Sequence, residues 1–465
     1  MRENKTIARR RSLRRIIEMH PAPLVAFSFV LFIIAGSFSL MLPAATQSGD
    51  MHFIDALFTA TSAVCVTGLA VVDTGTFFST FGQCIILALM QIGGLGVMTV
   101  SIMLFRAIGR SITFRQRMVL QDVFAHTPRE DILHVLKTII GFTFLAEAGG
   151  FIFLYLHWSA EFPPARAAFL ALFHAVSAFC NAGFSLFPDS MVRYSNNILL
   201  NFTICGLIVT GGIGFPVVHD IFRRTRQGGT RRTRLSVQTK TVLLTTIILI
   251  VVGSLMYWLL EYGHSLAGKS LSESLLVSLF QSITCRTAGF NTADIAALNP
   301  STLTMMIGLM FFGASPGSCG GGVKTTTLAV IILFTWSRIR HKKRVNIFHK
   351  SIPSETISRS LSLALVATCL IGVTLFLLLA GDTFARIHPS VGGEMFLAYL
   401  FETVSAFGTV GLSMGLTTML STWGKLLIIF LMLVGRVGVL TFSYIIIGGA
   451  IADGIEYAEE NIMIG

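Results

Sequence analysis

Long apolar segments alternate with shorter mixed ones along the 465 residues, in the same order four times. Apolar runs cover 24–42, 133–156, 242–260 and 360–379, each close to the roughly 20 residues that a helix needs to cross a bilayer. A shorter segment of moderate hydrophobicity follows each run, at 53–64, 167–179, 271–284 and 394–407. Helices of about a dozen residues cannot span a bilayer, so these segments are predicted to enter and leave on one side as re-entrant half-helices. A second long apolar run closes each unit, at 81–105, 198–222, 303–336 and 426–449.

Every half-helix runs into a variant of one phrase. TSAVCVTGL occupies 61–69, VSAFCNAGF 176–184, QSITCRTAGF 281–290 and VSAFGTVGL 404–412. A serine (Ser62, Ser177, Ser282, Ser405) stands three residues before Cys65, Cys180, Cys285 or Gly408. A glycine follows: Gly68, Gly183, Gly289 and Gly411, six residues after the serine in three copies and seven in the third. These glycines lie 115, 106 and 122 residues apart, so the chain holds four long repeats and no short solenoid period.

Composition explains why the pattern is so apolar. Hydrophobic residues make up 53% of the chain and charged residues 12%, with a mean hydropathy of +0.75. Soluble domains carry about 25% charge, so the chain reads as an integral membrane protein. Its formal net charge of +12 is concentrated at 9–15, 106–117, 223–234 and 338–344, each beside a long apolar run. The positive-inside rule accounts for that placement better than nucleic-acid binding does. Both termini and the connections between repeats are then cytoplasmic, and the half-helices face outward, where Asp50, Asp55, Asp73, Asp189 and Asp294 lie. The expected fold is all-α, with eight transmembrane helices and four re-entrant pore helices. Its four helix–pore-loop–helix repeats would run parallel around one pseudo-fourfold pore, unlike the inverted repeats of many carriers. The divisions are 1–21, a cytoplasmic lead-in; 22–117, repeat one, with its loop at 64–72; and 118–234, repeat two, with its loop at 180–186. Repeat three is 235–350, with loops at 285–292 and 313–327; repeat four is 351–452, with its loop at 408–414; 453–465 form a cytoplasmic tail. The seven cysteines form no CxxC pair and suggest neither disulfides nor a metal site.

Candidate chemistry follows from that layout. Half-helices around one axis would aim the negative ends of their dipoles at the centre, where a cation is stabilised. No ring of carboxylates aligns in the four loops, so backbone carbonyls must supply the oxygens. Turning successive carbonyls toward one axis requires positive φ at alternate residues, which glycine adopts without steric cost. A second irregular stretch, GASPGSCGGGVKTTT at 313–327, interrupts the last helix of repeat three with five glycines between Gly313 and Val323. Its GxxxxG spacing is no phosphate loop, because Val323 separates the glycine from Lys324 and no strand precedes it. Irregular backbone at membrane depth is tolerated where it lines a water-filled cavity. Gly313, Ser315, Gly317, Ser318, Gly320, Gly321, Gly322 and Lys324 are therefore read as a gating loop, with Ser315, Ser318 and Thr325 satisfying its backbone and Lys324 reaching cytoplasmic water. Arg436 lies inside the final apolar run, where a charge costs at least about 2.5–3.5 kcal/mol; it either pairs with a neighbour such as Glu402 or obstructs the cavity below the loops. Gly93, Gly94 and Gly96, like Gly211, Gly212 and Gly214, are expected to serve close helix packing. Glu147 receives no role, and His174 reads as packed or solvated. No cluster of His, Asp and Glu converges at one depth, which excludes most enzyme chemistry.

The phrases VTGL, NAGF, TAGF and TVGL resemble the filter loops of the bacterial Ktr/Trk potassium-uptake membrane subunits. RTAGFNT at 286–292 and QIGGLG at 91–96 do so as well, and the likeness runs from about residue 22 to the C-terminus. The resemblance implies a potassium-selective, channel-like subunit in a bacterial plasma (inner) membrane, not an enzyme. It places the potassium ligands at Val66, Thr67 and Gly68, at Asn181, Ala182 and Gly183, at Thr287, Ala288 and Gly289, and at Thr409, Val410 and Gly411. Glycine rather than serine at Gly68 implies potassium over sodium. The loop at 313–327 is similar to the family's intramembrane gate, and Arg436 matches an arginine beneath the filter. A homodimer, with the tail at its interface, is implied, as is a separate cytoplasmic ring of nucleotide-binding (RCK/KTN-type) domains; membrane lipids are the remaining partner. Sodium enters as an activator or co-ion, no organic cofactor is expected on this chain, and a sodium- or proton-coupled potassium symporter is the alternative.

Overall fold

The computed structural model describes residues 21–96, 132–226, 235–385 and 393–438. The N-terminal lead-in, the tail at 453–465, the basic segments at 106–117 and 227–234, and the ends of the closing apolar runs of repeats one and four lie outside the described residues. What is described is almost wholly helical. The repeats follow one plan: a long helix, a half-helix, a loop and a second helix.

In repeat one these are α1 (Pro21–Leu40), α2 (Phe53–Val64) and α3 (Thr80–Gly94). Repeat two has α4 (Ile132–Trp158) and α5 (Pro164–Phe179), and its closing helix is broken into α6 (Ile198–Gly212) and α7 (Phe215–Arg226). Repeat three has α8 (Val237–Glu261) and α9 (Leu271–Thr284), then α10 (Pro300–Phe311) and α11 (Thr325–Ile339) on either side of the glycine-rich stretch. Repeat four has α12 (Ser354–Ala385), α13 (Gly393–Gly408) and α14 (Thr422–Val437). A two-residue β-hairpin, Asn346–Ile347 with Lys350–Ser351, joins repeats three and four.

Polar side chains fix where three of the four second helices start. Ser79, Asn197 and Ser421 each accept a backbone N–H from three residues on, satisfying donors that a helix start leaves open. Apolar residues then run around each long helix without an amphipathic stripe. Phe27, Leu145, Val251 and Phe376 stay exposed on the first helices, which suits a lipid-facing surface and not water. Among the described residues, Lys137–Trp158, Val237–Glu261 and Ser354–Gly381 are each long and apolar enough to cross a membrane. The bent pair Ile198–Gly212 and Phe215–Arg224 would count as a fourth span.

The repeats are joined cyclically. Each first helix packs on its own half-helix, and each second helix packs on the half-helix of the next repeat: α3 on α5, α6 on α9, α10 on α13, and α14 back on α2. Lys425 Nζ, at the start of α14, meets Asp55 of α2 at 2.6 Å and closes the circle between repeats four and one. Polar side chains of the half-helices are buried among them, including Ser62, His174, Gln281 and Glu402.

One sequence expectation is corrected here. The closing run at 198–222 was expected to be continuous, yet it bends by 93° after Gly212. Gly214 has φ +96°, a left-handed conformation that ends a helix. Gly96 (φ +82°) and Gly438 (φ +95°) stand in the same relation to α3 and α14. Each follows by three residues a glycine that lies against the end of its own repeat's half-helix: Gly93 on Val64 O, Gly211 on Phe179 O, and Gly435 on Phe407 O. Close packing therefore explains Gly93 and Gly211, whereas Gly96 and Gly214 break the helix.

Candidate functional site

The half-helices end at Cys65, Cys180, Cys285 and Gly408, and the loops beyond share one backbone path. Positive φ recurs at alternate residues: Val66 (56°) and Gly68 (95°), Asn181 (58°) and Gly183 (69°), Thr287 (73°) and Gly289 (83°), Thr409 (51°) and Gly411 (92°). A left-handed conformation costs a non-glycine residue about 1–2 kcal/mol, and β-branched Val66, Thr287 and Thr409 are poorly suited to it. Strain repeated in four places persists only where the surroundings over-determine it, and such places cluster at functional sites.

The four glycines close a ring. A Cβ at Gly68 would lie 2.5 Å from Ala182 O, one at Gly183 2.8 Å from Ala288 O, and one at Gly289 2.5 Å from Val410 O; at Gly411 it would meet Thr67 O closer still. Each glycine thus abuts the carbonyl that precedes the next repeat's glycine, in the order one, two, three, four, one. No side chain fits at any of the four positions. Thr67, Ala182, Ala288 and Val410 are fully buried, as are Val66, Asn181, Thr287 and Thr409.

Serines in the half-helices brace the loops. Ser62 and Ser405 accept the N–H of Gly68 and Gly411 at 3.0 and 3.1 Å, and Ser177 donates to Phe184 O at 2.8 Å. The third copy departs from the register read in the sequence. Ser282 turns away to Ile250 O of α8 (2.9 Å), and Thr284 donates to Phe290 O in its stead (2.5 Å). The extra residue is Arg286, which falls before the strained position and leaves Thr287 two residues from its glycine, as in the other copies. The Arg286 guanidinium is buried and donates to Thr246 at 3.3 Å. Sequence reasoning gave this arginine no role, although its place in the one longer loop was visible.

Beneath the ring, the stretch between α10 and α11 folds across the bundle. Ser315 N and Cys319 N donate to Gly212 O and Gly211 O at the end of α6 (3.1 and 3.2 Å), and Gly322 N donates to Gly435 O of α14 (3.2 Å). Phe215 N, opening α7, donates to Gly317 O (3.0 Å). Within the loop, Ser318 donates to Ser315 O at 2.6 Å, and the Ser315 and Thr325 hydroxyls lie 3.1 Å apart. Gly320 and Gly313 pack on the Thr287 side chain. Carbonyls at helix C-termini carry partial negative charge and lack partners in their own helix, so the loop's N–H groups find ready acceptors there.

Two charged side chains find backbone partners that the sequence did not mark. Half-buried Lys324 turns its ammonium back onto Gly320 O and Gly321 O at 2.7 and 3.2 Å. Arg436 does not pair with Glu402. Its guanidinium donates to Cys319 O in the loop and Gly93 O at the end of α3, joining repeats one, three and four. Glu402 is buried in α13 and accepts from Ser413 (2.8 Å) and Thr417, holding the segment beyond the fourth loop. Carbonyl partners leave no signature in the sequence, whereas a carboxylate invites the assumption of an ion pair. Glu147 is buried beside Cys180, whose thiol lies 4.0 Å from it. His174 is enclosed by Trp158 and Phe187 and hydrogen-bonded to Leu170 O at 2.8 Å; it is packed, not solvated.

Residues 14–447 match the family model described as TrkH, cation transport protein. The Ktr system potassium uptake protein B of Vibrio alginolyticus is 38% identical over 444 residues, covering 95% of this chain and 94% of that one. The potassium/sodium uptake protein NtpJ of Enterococcus hirae is 36% identical over 464 residues, covering 99% and 100%. Among solved structures, the potassium transporter TrkH from Vibrio parahaemolyticus superposes with a TM-score of 0.71 at 19% identity, over 91% of this chain and 84% of that one, and so shares the fold. With its apolar helices and a match across nearly its whole length, the chain is a multi-pass membrane protein, a transporter and not an enzyme, and it belongs to the TrkH family of cation transport proteins.

Proposed function

We propose that this chain is the potassium-translocating membrane subunit of a bacterial uptake system, with the glycine ring as its selectivity filter. The observation that carries this reading is the closed ring itself, four loops with alternating left-handed residues and no side chain at their closest approach. Such a backbone offers stacked carbonyls to an ion that has shed its water. The ligands are the carbonyls of Val66 and Thr67, Asn181 and Ala182, Thr287 and Ala288, and Thr409 and Val410, with Gly68, Gly183, Gly289 and Gly411. Potassium is favoured by the naming of the relatives as potassium uptake proteins.

The cyclic packing supports four parallel repeats, with eight spans and four re-entrant half-helices around one axis. The domain divisions given above follow, with both termini on the cytoplasmic side. The loop at 313–327 is the gate, lying across the path and held by helix ends of repeats two and four. Arg436 is the obstacle beneath the filter, where its positive charge opposes a passing cation while it anchors the loop. Inward flow follows a negative membrane potential. The chain works as a homodimer with a cytoplasmic nucleotide-binding ring that moves the gate. A second reading, transport that sodium activates or accompanies, is favoured by the name of the potassium/sodium uptake relative.

Flux into liposomes holding the purified protein tests both. The expected result is entry of potassium and rubidium well above sodium, with no co-ion required. Equal sodium entry would remove the filter assignment. Uptake only under a sodium gradient would establish coupling.

A further inference from the structure

The four strained positions before the ring glycines share a backbone conformation and differ in what their side chains do. Val66 is apolar, and its methyl would lie 3.0 Å from a Cβ on Gly93. Asn181 and Thr287 satisfy each other. With the amide oriented so that its NH2 donates to Ala178 O and Ile208 O at 3.1 Å, its oxygen accepts the Thr287 hydroxyl at 3.0 Å. The stretch below packs on the Thr287 side chain but makes its hydrogen bond to Thr409. The Thr409 hydroxyl accepts the N–H of Gly321 at 2.9 Å, with both residues buried. Among the described residues this is the one hydrogen bond between the 313–327 stretch and any of the four ring loops.

The approach is close enough to dictate the residue at 321. A Cβ there would sit 2.6 Å from Thr409 Oγ1 and 2.7 Å from Cγ2. The next residue along, Gly322, donates to Gly435 O of the same repeat at 3.2 Å, and a Cβ on it would lie 3.1 Å from Gly408 Cα. Two consecutive N–H groups are therefore seated on repeat four, one on its second helix and one on its filter strand.

We propose that Thr409 is a positioning residue for the gate, its hydroxyl latching the loop at Gly321 to the underside of the fourth filter strand. The inference rests on the reading of the ring as filter and of 313–327 as gate. A buried N–H without an acceptor is penalised, so removing the hydroxyl favours the displaced loop. The latch also makes repeat four the place where loop movement is felt first by the filter, because the bond is made by a side chain whose own carbonyl belongs to the ion path.

The test is potassium flux into liposomes for Thr409→Val and Thr409→Ser, each with the loop intact and with 317–322 deleted. With the loop intact, Thr409→Val should raise flux by about threefold to tenfold, the effect of one hydrogen bond on a two-state loop. Thr409→Ser, which keeps the oxygen, should give less than half that rise. In the deleted background Thr409→Val should give no further rise, because its partner is gone. Gly321→Ala pushes the loop off Thr409 from the other side. It should raise flux alone and not add to Thr409→Val, which decides the matter if the valine protein folds poorly. Equal rises for valine and serine, or no rise for Gly321→Ala, would overturn the latch. A fall in flux for Thr409→Val in both backgrounds would make the hydroxyl an ion ligand instead. If the deletion by itself leaves flux unchanged, the gate reading fails, and the latch fails with it.

Discussion

The ring and the layer directly beneath it are built on opposite rules. In the ring, sequences as different as Val66-Thr67-Gly68 and Asn181-Ala182-Gly183 adopt the same alternation of left-handed residues, and each glycine meets its neighbour's carbonyl. One layer down, the repeats diverge. Three second helices end at a glycine of positive φ three residues after their packing glycine, while the third gives way to a loop that spans the bundle. The side chains there diverge too: a methyl, an amide–hydroxyl pair and a hydroxyl hydrogen-bonded to the loop. If the ring is the proposed filter, a cation on its axis needs near-equal oxygens on all sides, and the backbone repeats accordingly. On the proposed reading, blocking and releasing a path needs one element that can move while the others hold it, so one repeat differs.

The largest effects should come from breaking the repeated part. Gly183→Ser or Gly289→Ser would place a side chain against Ala288 O or Val410 O in the left-handed region. The conformational cost alone is about 1–2 kcal/mol, and the carbonyl contact must shift besides. Potassium flux should fall by about tenfold or more, which corresponds to 1.4 kcal/mol at the barrier, and its ratio to sodium flux should drop. Retention of both ratio and rate in liposomes would mean that the ring is not the selective element.

Breaking the unequal layer should act in the other direction. Deletion of 317–322 removes several hydrogen bonds of about 1 kcal/mol each and should raise flux by roughly tenfold or more. Arg436→Gln keeps a donor for Cys319 O or Gly93 O but loses the charge. A smaller rise, about threefold to tenfold, is expected from one lost charge-assisted bond. Arg436→Lys should lie nearer the starting protein, since the charge stays while one of the two carbonyls is left without it. A drop in flux for Arg436→Gln, with the protein still folded by thermal melting, would overturn its role as the obstacle.

What could be read in the sequence divides along the same line. The half-helices and ring loops were legible because the phrase S-x-x-C/G with its glycine recurs four times, and φ constraints act on residue type directly. The break at 213–214 was not, because G-x-x-G serves both close packing and helix termination, and only the backbone angle at Gly214 distinguishes them. The partners of Arg436 and Lys324 were not legible for another reason. Both bind backbone carbonyls that become available when helices break, so the acceptors are products of the fold and have no residue type to mark them. The one-residue insertion at Arg286 was visible. That the helix side absorbs it, with Thr284 replacing Ser282 as the brace, depends on the strained pair keeping its distance from the glycine.

The smallest effects concern whether the helix breaks belong to the gate or merely shape the bundle, and two glycines of repeat two separate these. Gly206 lies in α6 with open space around the position of a Cβ. Gly206→Ala should therefore be neutral or stabilising by about 0.5–1 kcal/mol, because alanine loses less freedom in a helix. Gly214, eight residues on, has φ +96°, and a Cβ there would lie 2.5 Å from Pro316 O of the loop. Gly214→Ala should destabilise by about 1–2 kcal/mol from conformation, read as a lower melting temperature in detergent. If the break holds the loop in place, as the bond from Phe215 N to Gly317 O suggests, the same substitution should also raise potassium flux. Lower stability with unchanged flux would confine Gly214 to architecture and leave the ends of α6 and α14 as the loop's anchors. A rise in flux with unchanged melting would make the bend itself part of the gate, since the strain would then be relieved by moving the loop and not by loosening the bundle.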